Sequence, residues 1–275
     1  MIDPIKLFVG CSANGEDAES QMVLEYTLRK NTSRDVDITW MKRSNDLASP
    51  WFGWQCGTWA TPFSGFRWAI PAVCNFEGQA IYTDSDMIFM QDIGELWDEP
   101  FEDGKVVQAK GGNEGWRYCV AKWHNQRAKE YLLPLDRMKI LSESHQRHMG
   151  KFTSSTALVQ HFNGNWNCVD GEDYTNLHDN DIKILHYSDM SSQMHLKYAL
   201  PRLEAAGRKH WYDGKVRGHW REDIQVLFDQ YYHEALAAGY TVEQYVPSDE
   251  ECFGEYGKES QADYRANHSW EPRNH

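Results

Sequence analysis

The sequence predicts an α/β domain, and three observations carry that reading. An apolar run over 5–10 ends in glycine, apolar side chains recur at helical spacing over 17–30, and a second apolar run follows over 36–41. Strand, helix and strand in that order open a nucleotide-binding α/β sheet. A further apolar stretch, A-I-Y-T, then runs straight into two acids, Asp84 and Asp86.

Each element has its own signal. Residues 5–10 (I-K-L-F-V-G) read as a buried strand, and S-A-N-G after them as a turn. Ala18, Met22, Val23, Tyr26 and Leu28 give the helix its apolar spacing, which Asn31 and Ser33 break. No G-x-G-x-x-G or Walker sequence follows the first strand, so dinucleotide or P-loop phosphate binding is unsupported. Residues 45–64 are loop-like and carry Trp51, Phe52, Trp54, Trp59 and Phe63; G-F-R-W-A-I-P-A-V after them reads as helical around a proline. Strands are expected at 105–110, 117–123, 157–162 and 182–187, with helices filling 126–145. Ile224, Leu227, Phe228, Tyr231, Ala235 and Leu236 form one face of a final helix that Gly239 stops. The expected domain is 1–246, followed by an acidic, polar, loosely held tail at 247–275.

The bulk composition narrows the partners. With 275 residues, 41% hydrophobic and 25% charged, the chain can bury a proper core. A formal charge of -13 argues against duplex DNA or an anionic membrane surface as principal partner. It leaves an anionic small ligand open, because a bound divalent ion inverts the local sign. Six cysteines without C-x-x-C spacing read as reduced thiols. The first residues lack a signal-peptide pattern and no stretch approaches 18 apolar residues, so the expected compartment is the cytoplasm, with no transmembrane segment. Twelve tryptophans suit core filling first, and stacking on sugar faces second.

Asp-x-Asp occurs three times, and by itself means little. Asp35/Asp37 and Asp179/Asp181 sit in turn-like, solvated sequence; only Asp84/Asp86 is enclosed by apolar residues on both sides. On an extended strand both carboxylates would point the same way, about 7 Å apart. Buried acids need a cation. A hard divalent ion fits, Mg2+ or Mn2+, with Mn2+ favoured if an imidazole joins. The competing reading is a turn cap or an ion pair with Arg67. A phosphatase of the haloacid type fits poorly, since its D-x-D follows the first strand.

The phrase Tyr82, Asp84, Asp86, Asp92, Glu95, Leu96, Trp97 resembles the metal-binding motif of GT-A glycosyltransferases, in particular those of glycosyltransferase family eight, the glycogenin and galactosyltransferase-like group. T-P-F-S-G-F-R-W-A-I-P (61–71) is similar to the helix that sets an arginine beside the donor, here Arg67. F-N-G-N-W-N (162–167) and I-L-H-Y-S (184–188) resemble the segment and strand that end in a third metal ligand, here His186. The resemblance covers roughly residues 5–200. It implies a GT-A fold, a mixed sheet flanked by helices, and transfer of a hexose from a nucleotide-diphosphate sugar, a UDP-hexose by family habit, to a glycan or other hydroxyl acceptor with retention.

It also implies roles. Asp84, Asp86 and His186 would hold the metal, Asp86 and Arg67 would serve the chemistry, and Cys11, Ser12, Arg67, Asp84 and Ser85 would line the nucleotide-sugar site. Two departures stand out. Where the family has H-x-x-G-x-x-K-P-W this chain reads H-Y-S-D-M-S-S-Q-M, so Ser192 or Gln193 stands where a lysine meets the diphosphate, with Lys197 as a possible substitute. The family's D-Q pair under the reacting carbon has no match, T-S-S-T (153–156) standing there, and its acid in the first loop is missing. Asp170, Glu172 and Asp173 read as surface turn residues. The rival readings are a binding protein without turnover and a metal-dependent hydrolase of the diphosphate.

Overall fold

The structure is a computed structural model that describes residues 3–253 apart from 57–58, 113–114, 153–154, 173–175, 178–180, 213 and 249. In chain order the elements are β1 (Ile5–Gly10), α1 (Ala18–Asn31), β2 (Val36–Met41), α2 (Ile70–Val73), β3 (Gln79–Asp84), β4 (Met87–Phe89), α3 (Gly94–Asp98), β5 (Val107–Gly112), β6 (Gly115–His124), α4 (Asn125–Ala128), α5 (Leu135–Met138), α6 (Leu141–Phe152), β7 (Val159–His161), β8 (Cys168–Val169), β9 (Ile184–His186), α7 (Leu196–Ala205) and α8 (Glu222–Ala237). A 3-10 turn over Ser64–Trp68 precedes α2.

The described strands form two sheets. The larger runs β2-β1-β3-β6-β5-β7, and the smaller runs β4-β9-β8. β1 pairs in parallel with β2 and β3, while β3 and β6 pair antiparallel. The mixed α/β architecture expected from the sequence is therefore present. Both faces of the large sheet are packed, which is why its strands read as continuous apolar runs. Leu7, Val9, Ile81 and Val120 meet Leu24 and Leu28 of α1 on one side. Phe8, Ala80, Tyr82, Ala121 and Trp123 meet Trp68 and Phe152 on the other.

Most expected elements lie within a few residues of their predicted places. The stretch 126–145 is not filled by helix, because Pro134 interrupts it and α6 runs on to Phe152. β4, α3, β8 and α7 were not expected; three of them are five residues or shorter, too brief for periodicity to register. On α8, Ile224, Phe228 and Ala235 are buried, but Leu236 is 41% exposed, since the packed face has rotated past it by that turn. Part of the expected tail is fastened. Phe253 N donates to Asn14 Oδ1 at 2.7 Å, and Asn45 Nδ2 donates to the Cys252 carbonyl at 2.9 Å. Residues 254–275 lie outside the described residues.

Candidate active site

The D-S-D segment is the passage from one sheet to the other. β3 ends at Asp84, the chain bends at Ser85 and Asp86, and β4 begins at Met87 in the smaller sheet. The expected alternation along one strand is thus replaced by a bend. The two carboxylates line the same cleft from different supports.

Asp84 is supported from the large sheet. Arg67 Nη2 donates to its Oδ1 at 3.0 Å and Tyr82 Oη donates to the same oxygen. The guanidinium lies 4.6 Å from the Tyr82 ring centre and donates Nε to the Ser64 carbonyl at 2.8 Å, so its orientation is fixed on three sides. A glycine ends β1 for a related reason: a Cβ on Gly10 would lie 2.6 Å from Tyr82 Oη. Burial raises the Asp84 carboxyl above its ordinary range, with Arg67 opposing and Asp86 adding to the rise. The expected ion pair with Arg67 therefore exists, inside the site.

Asp86 and His186 are supported from the small sheet. β4 and β9 pair Met87 with His186, which sets the imidazole beside the bend. His186 Nε2 lies 3.4 Å from Asp86 Oδ1, and Nδ1 lies 2.9 Å from Asn167 Oδ1. The Asn167 oxygen accepts from Nδ1–H, which leaves the Nε2 lone pair facing a carboxylate oxygen. Asp86 Oδ1 is buried and has no hydrogen-bond partner; Oδ2 accepts from Gln193 Nε2 at 2.7 Å. Two lone pairs face each other here, so a proton or a metal ion belongs between them. Burial alone would lower the His186 pKa, but the Asp86 carboxylate outweighs it and raises it. By donor type, oxygen atoms from two acids and one imidazole nitrogen suit a Mn2+ or Mg2+ ion, with His186 as the residue that both Asp84 and Asp86 approach. Ligand atoms of Asp84, His186 and Cys119 all lie within 4.8 Å of one another.

These groups stand at one side of a cleft of about 480 Å3. Trp59, Phe63, Trp68, Trp116, Tyr118 and Trp211 form apolar wall, so tryptophan serves both core and cleft. Among the described residues lining the cleft, Arg67 is the one lysine or arginine.

Of the expected site residues, Arg67, Asp84, Ser85, Asp86, His186 and Gln193 line the cleft together. Cys11, Ser12 and Ser192 do not. Cys11 is buried with its thiol toward the Met41 carbonyl at 3.6 Å; Ser12 is spent on Asp17; Ser192 Oγ donates to Asp189 at 3.0 Å. Lys197 is taken up by Asp229 at 2.7 Å, and does not line the cleft. Ser155 caps a turn at Leu158; Thr153 and Ser154 lie outside the described residues. Asp170 is not a surface residue. It is buried, meets His219 Nε2 at 2.7 Å and accepts from Ser188 N at 2.9 Å, bracing the chain just after His186. Glu172 pairs with Arg117 at 2.6 Å, and Asp173 lies outside the described residues.

Among the cleft residues that escaped the sequence reading are Asp17, Cys119, His195 and His210. Asp17 accepts from Ser12 N at 3.1 Å, Ser85 Oγ at 2.6 Å and Gln21 Nε2 at 2.8 Å. Burial works against its charge, but these donors hold the carboxyl below its ordinary range. Tyr212 N donates to His210 Nδ1 at 3.0 Å, which turns His210 Nε2–H toward His195 Nε2 at 3.5 Å. Burial lowers both, His210 to about 3, so the pair is neutral at pH 7. An acid at the foot of the first loop was a usable signal; a lone cysteine or histidine on an apolar stretch was not.

Neither family models nor curated proteins gave a match to the sequence. Solved structures did. The chain is similar to the galactosyltransferase LgtC, solved with donor and acceptor sugar analogues, at 10% identity over 88% of this chain and 99% of that one, TM-score 0.53. It is similar to the glycosyltransferase GlyE of Streptococcus pneumoniae at 16% identity over 91% of this chain and 67% of that one, TM-score 0.53. The bifunctional glycosyltransferase WbbM matches at 13% identity, TM-score 0.50, over 68% of this chain, which spans 46% of WbbM. The fold is that of GT-A-type glycosyltransferases.

Proposed function

We propose that the protein is a metal-dependent glycosyltransferase that moves a hexose from a nucleotide-diphosphate sugar, a UDP-sugar by its resemblance to family eight, to an acceptor hydroxyl. The observation that carries this is the pairing of Asp84 with His186 within ligand reach, and of Asp86 with His186 at 3.4 Å, at one end of an aromatic cleft in a GT-A fold.

Asp84, Asp86 and His186 would hold a divalent ion, which supplies Lewis-acid neutralisation of the departing diphosphate. Arg67, already oriented by Ser64, Tyr82 and Asp84, presents its remaining N–H groups to donor oxygens without further ordering. Asp17, kept ionised by Ser12 and Ser85, is a fixed acceptor for ribose or base N–H and O–H groups. Gln193 orients Asp86 in place of the family's lysine contact with the diphosphate. Trp116, Tyr118 and Trp211 give flat apolar surfaces for the acceptor sugar and keep water from the reacting carbon. Retention of configuration is carried over from the family resemblance.

Incubating the protein with Mn2+ and a panel of nucleotide-sugars tests this, with nucleoside diphosphate as the expected product. Nucleoside monophosphate with sugar phosphate would instead mark a hydrolase of the diphosphate. The presence of a single cationic side chain, Arg67, among the described cleft residues favours one second reading, a nucleotide-sugar binding protein without turnover. It predicts a Mn2+-dependent rise in melting temperature with no product.

A further inference from the structure

Cys119 has no part in the family pattern, yet it lies on the metal side of the cleft. The β3–β6 register pairs Thr83 with Val120, so the next pair along the ladder sets Cys119 across from Asp84. Its sulfur lies within 4.8 Å of ligand atoms of both Asp84 and His186. A cation about 2.0–2.3 Å from each donor leaves those donors roughly 3–4.6 Å apart, so a few tenths of an ångström of side-chain movement at most brings the three onto a shared ion. The other described cysteines, Cys11, Cys56, Cys74, Cys168 and Cys252, do not line this cleft. Asp84 Oδ1 already receives Arg67 and Tyr82, and the Cys119 thiol also bonds to the Asp84 carboxylate, a contact that a shared cation would replace.

We infer that Cys119 is a further protein ligand of the divalent ion held by Asp84, Asp86 and His186, so that the centre carries a sulfur donor and favours thiophilic ions such as Co2+, Zn2+ or Cd2+ over Mg2+. The inference rests on the metal-centre reading above. A thiolate is the ligating form, so binding replaces the S–H bond by a metal–sulfur bond and releases one proton to solvent. Sulfur is a soft donor, and a site with one sulfur, one nitrogen and carboxylate oxygens discriminates by softness where an all-oxygen site cannot.

Titration of the full chain with Co2+ separates the possibilities. The visible d–d bands report binding of the ion, and a near-ultraviolet sulfur-to-cobalt charge-transfer band reports a sulfur ligand. The expected result is both in the wild type, with the charge-transfer band lost and the d–d bands kept in Cys119→Ser and in Cys119→Ala. Cd2+ affinity should fall in both variants by more than the roughly 10- to 100-fold that loss of an outer-shell partner costs, while Mg2+ affinity is unchanged. A wild-type d–d spectrum without the charge-transfer band, or a band that survives in both variants, overturns the role of Cys119 and leaves the metal centre standing. No d–d spectrum at all removes the centre itself, and this inference with it. Matching melting curves for wild type and the serine variant show that a lost band is not a lost fold.

Discussion

The two sides of the cleft are built differently. Asp84 ends a strand of the large sheet and Arg67 sits on the 3-10 turn Ser64–Trp68 packed over it, where β1, β3 and β6 pair in continuous register and both faces are packed. Asp86 stands in the bend before β4, His186 at the end of the short strand β9 and Gln193 in the loop before α7, and side-chain hydrogen bonds hold this side: Asn167 to His186, Gln193 to Asp86, Asp170 to Ser188 N. The first side is positioned by the core, the second by polar contacts. A small change on the second side should therefore disturb the site without unfolding the protein, whereas the first side should lose stability and site together.

Two buried histidines mark the same contrast. His148 on α6 stacks on Trp68, ring centroids 5.1 Å apart, and burial lowers its pKa to about 4. His186 faces a carboxylate and is raised.

The largest expected effect is on the polar side. Asp86→Ala should lower Mn2+-dependent turnover by about 10³-fold, roughly 4 kcal/mol of lost transition-state stabilisation, with the melting temperature little changed. Turnover within tenfold of wild type in steady-state assays would remove Asp86 from the centre.

Next comes the packed side. The unfolded chain, with a histidine near 6.5, binds a proton that folded His148 refuses until about pH 4. Stability is therefore lost as pH falls from about 6.5 to about 4, by roughly 3 kcal/mol in total. Urea unfolding at several pH values should show His148→Gln with a flatter profile across that window; parallel profiles would contradict the account.

Asn167→Ala should weaken Mn2+ binding by about 10- to 100-fold in calorimetric titration, because the imidazole loses the acceptor that fixes its tautomer. Unchanged affinity would mean that His186 is oriented by something else. Smallest of all, Leu236→Ala on the exposed edge of α8 should shift unfolding free energy by no more than about 0.5 kcal/mol.

The same division explains what the sequence made legible. β1, α1, β2 and β3 are long enough for periodicity, and the D-S-D phrase with Arg67 sits among them in one short span. His186 was reached through its phrase, since a histidine on an apolar strand carries no signal of its own. Asp17 and Cys119 were missed because they act through a bend and a strand register that bring distant segments together. Asp170 read as a turn residue because its partner, His219, lies 49 positions away. Cys11 and Ser12 were assigned by resemblance to the family's first loop; they bond to Met41 and Asp17 and stand behind the cleft lining.

Pulsed electron paramagnetic resonance of Mn2+ bound to the protein in the presence of a nucleoside diphosphate decides whether His186 is a metal ligand. Modulation from one directly bonded imidazole nitrogen is expected in the wild type and not in His186→Gln. Bound Mn2+ without nitrogen modulation, or modulation that persists in the variant, would contradict that role.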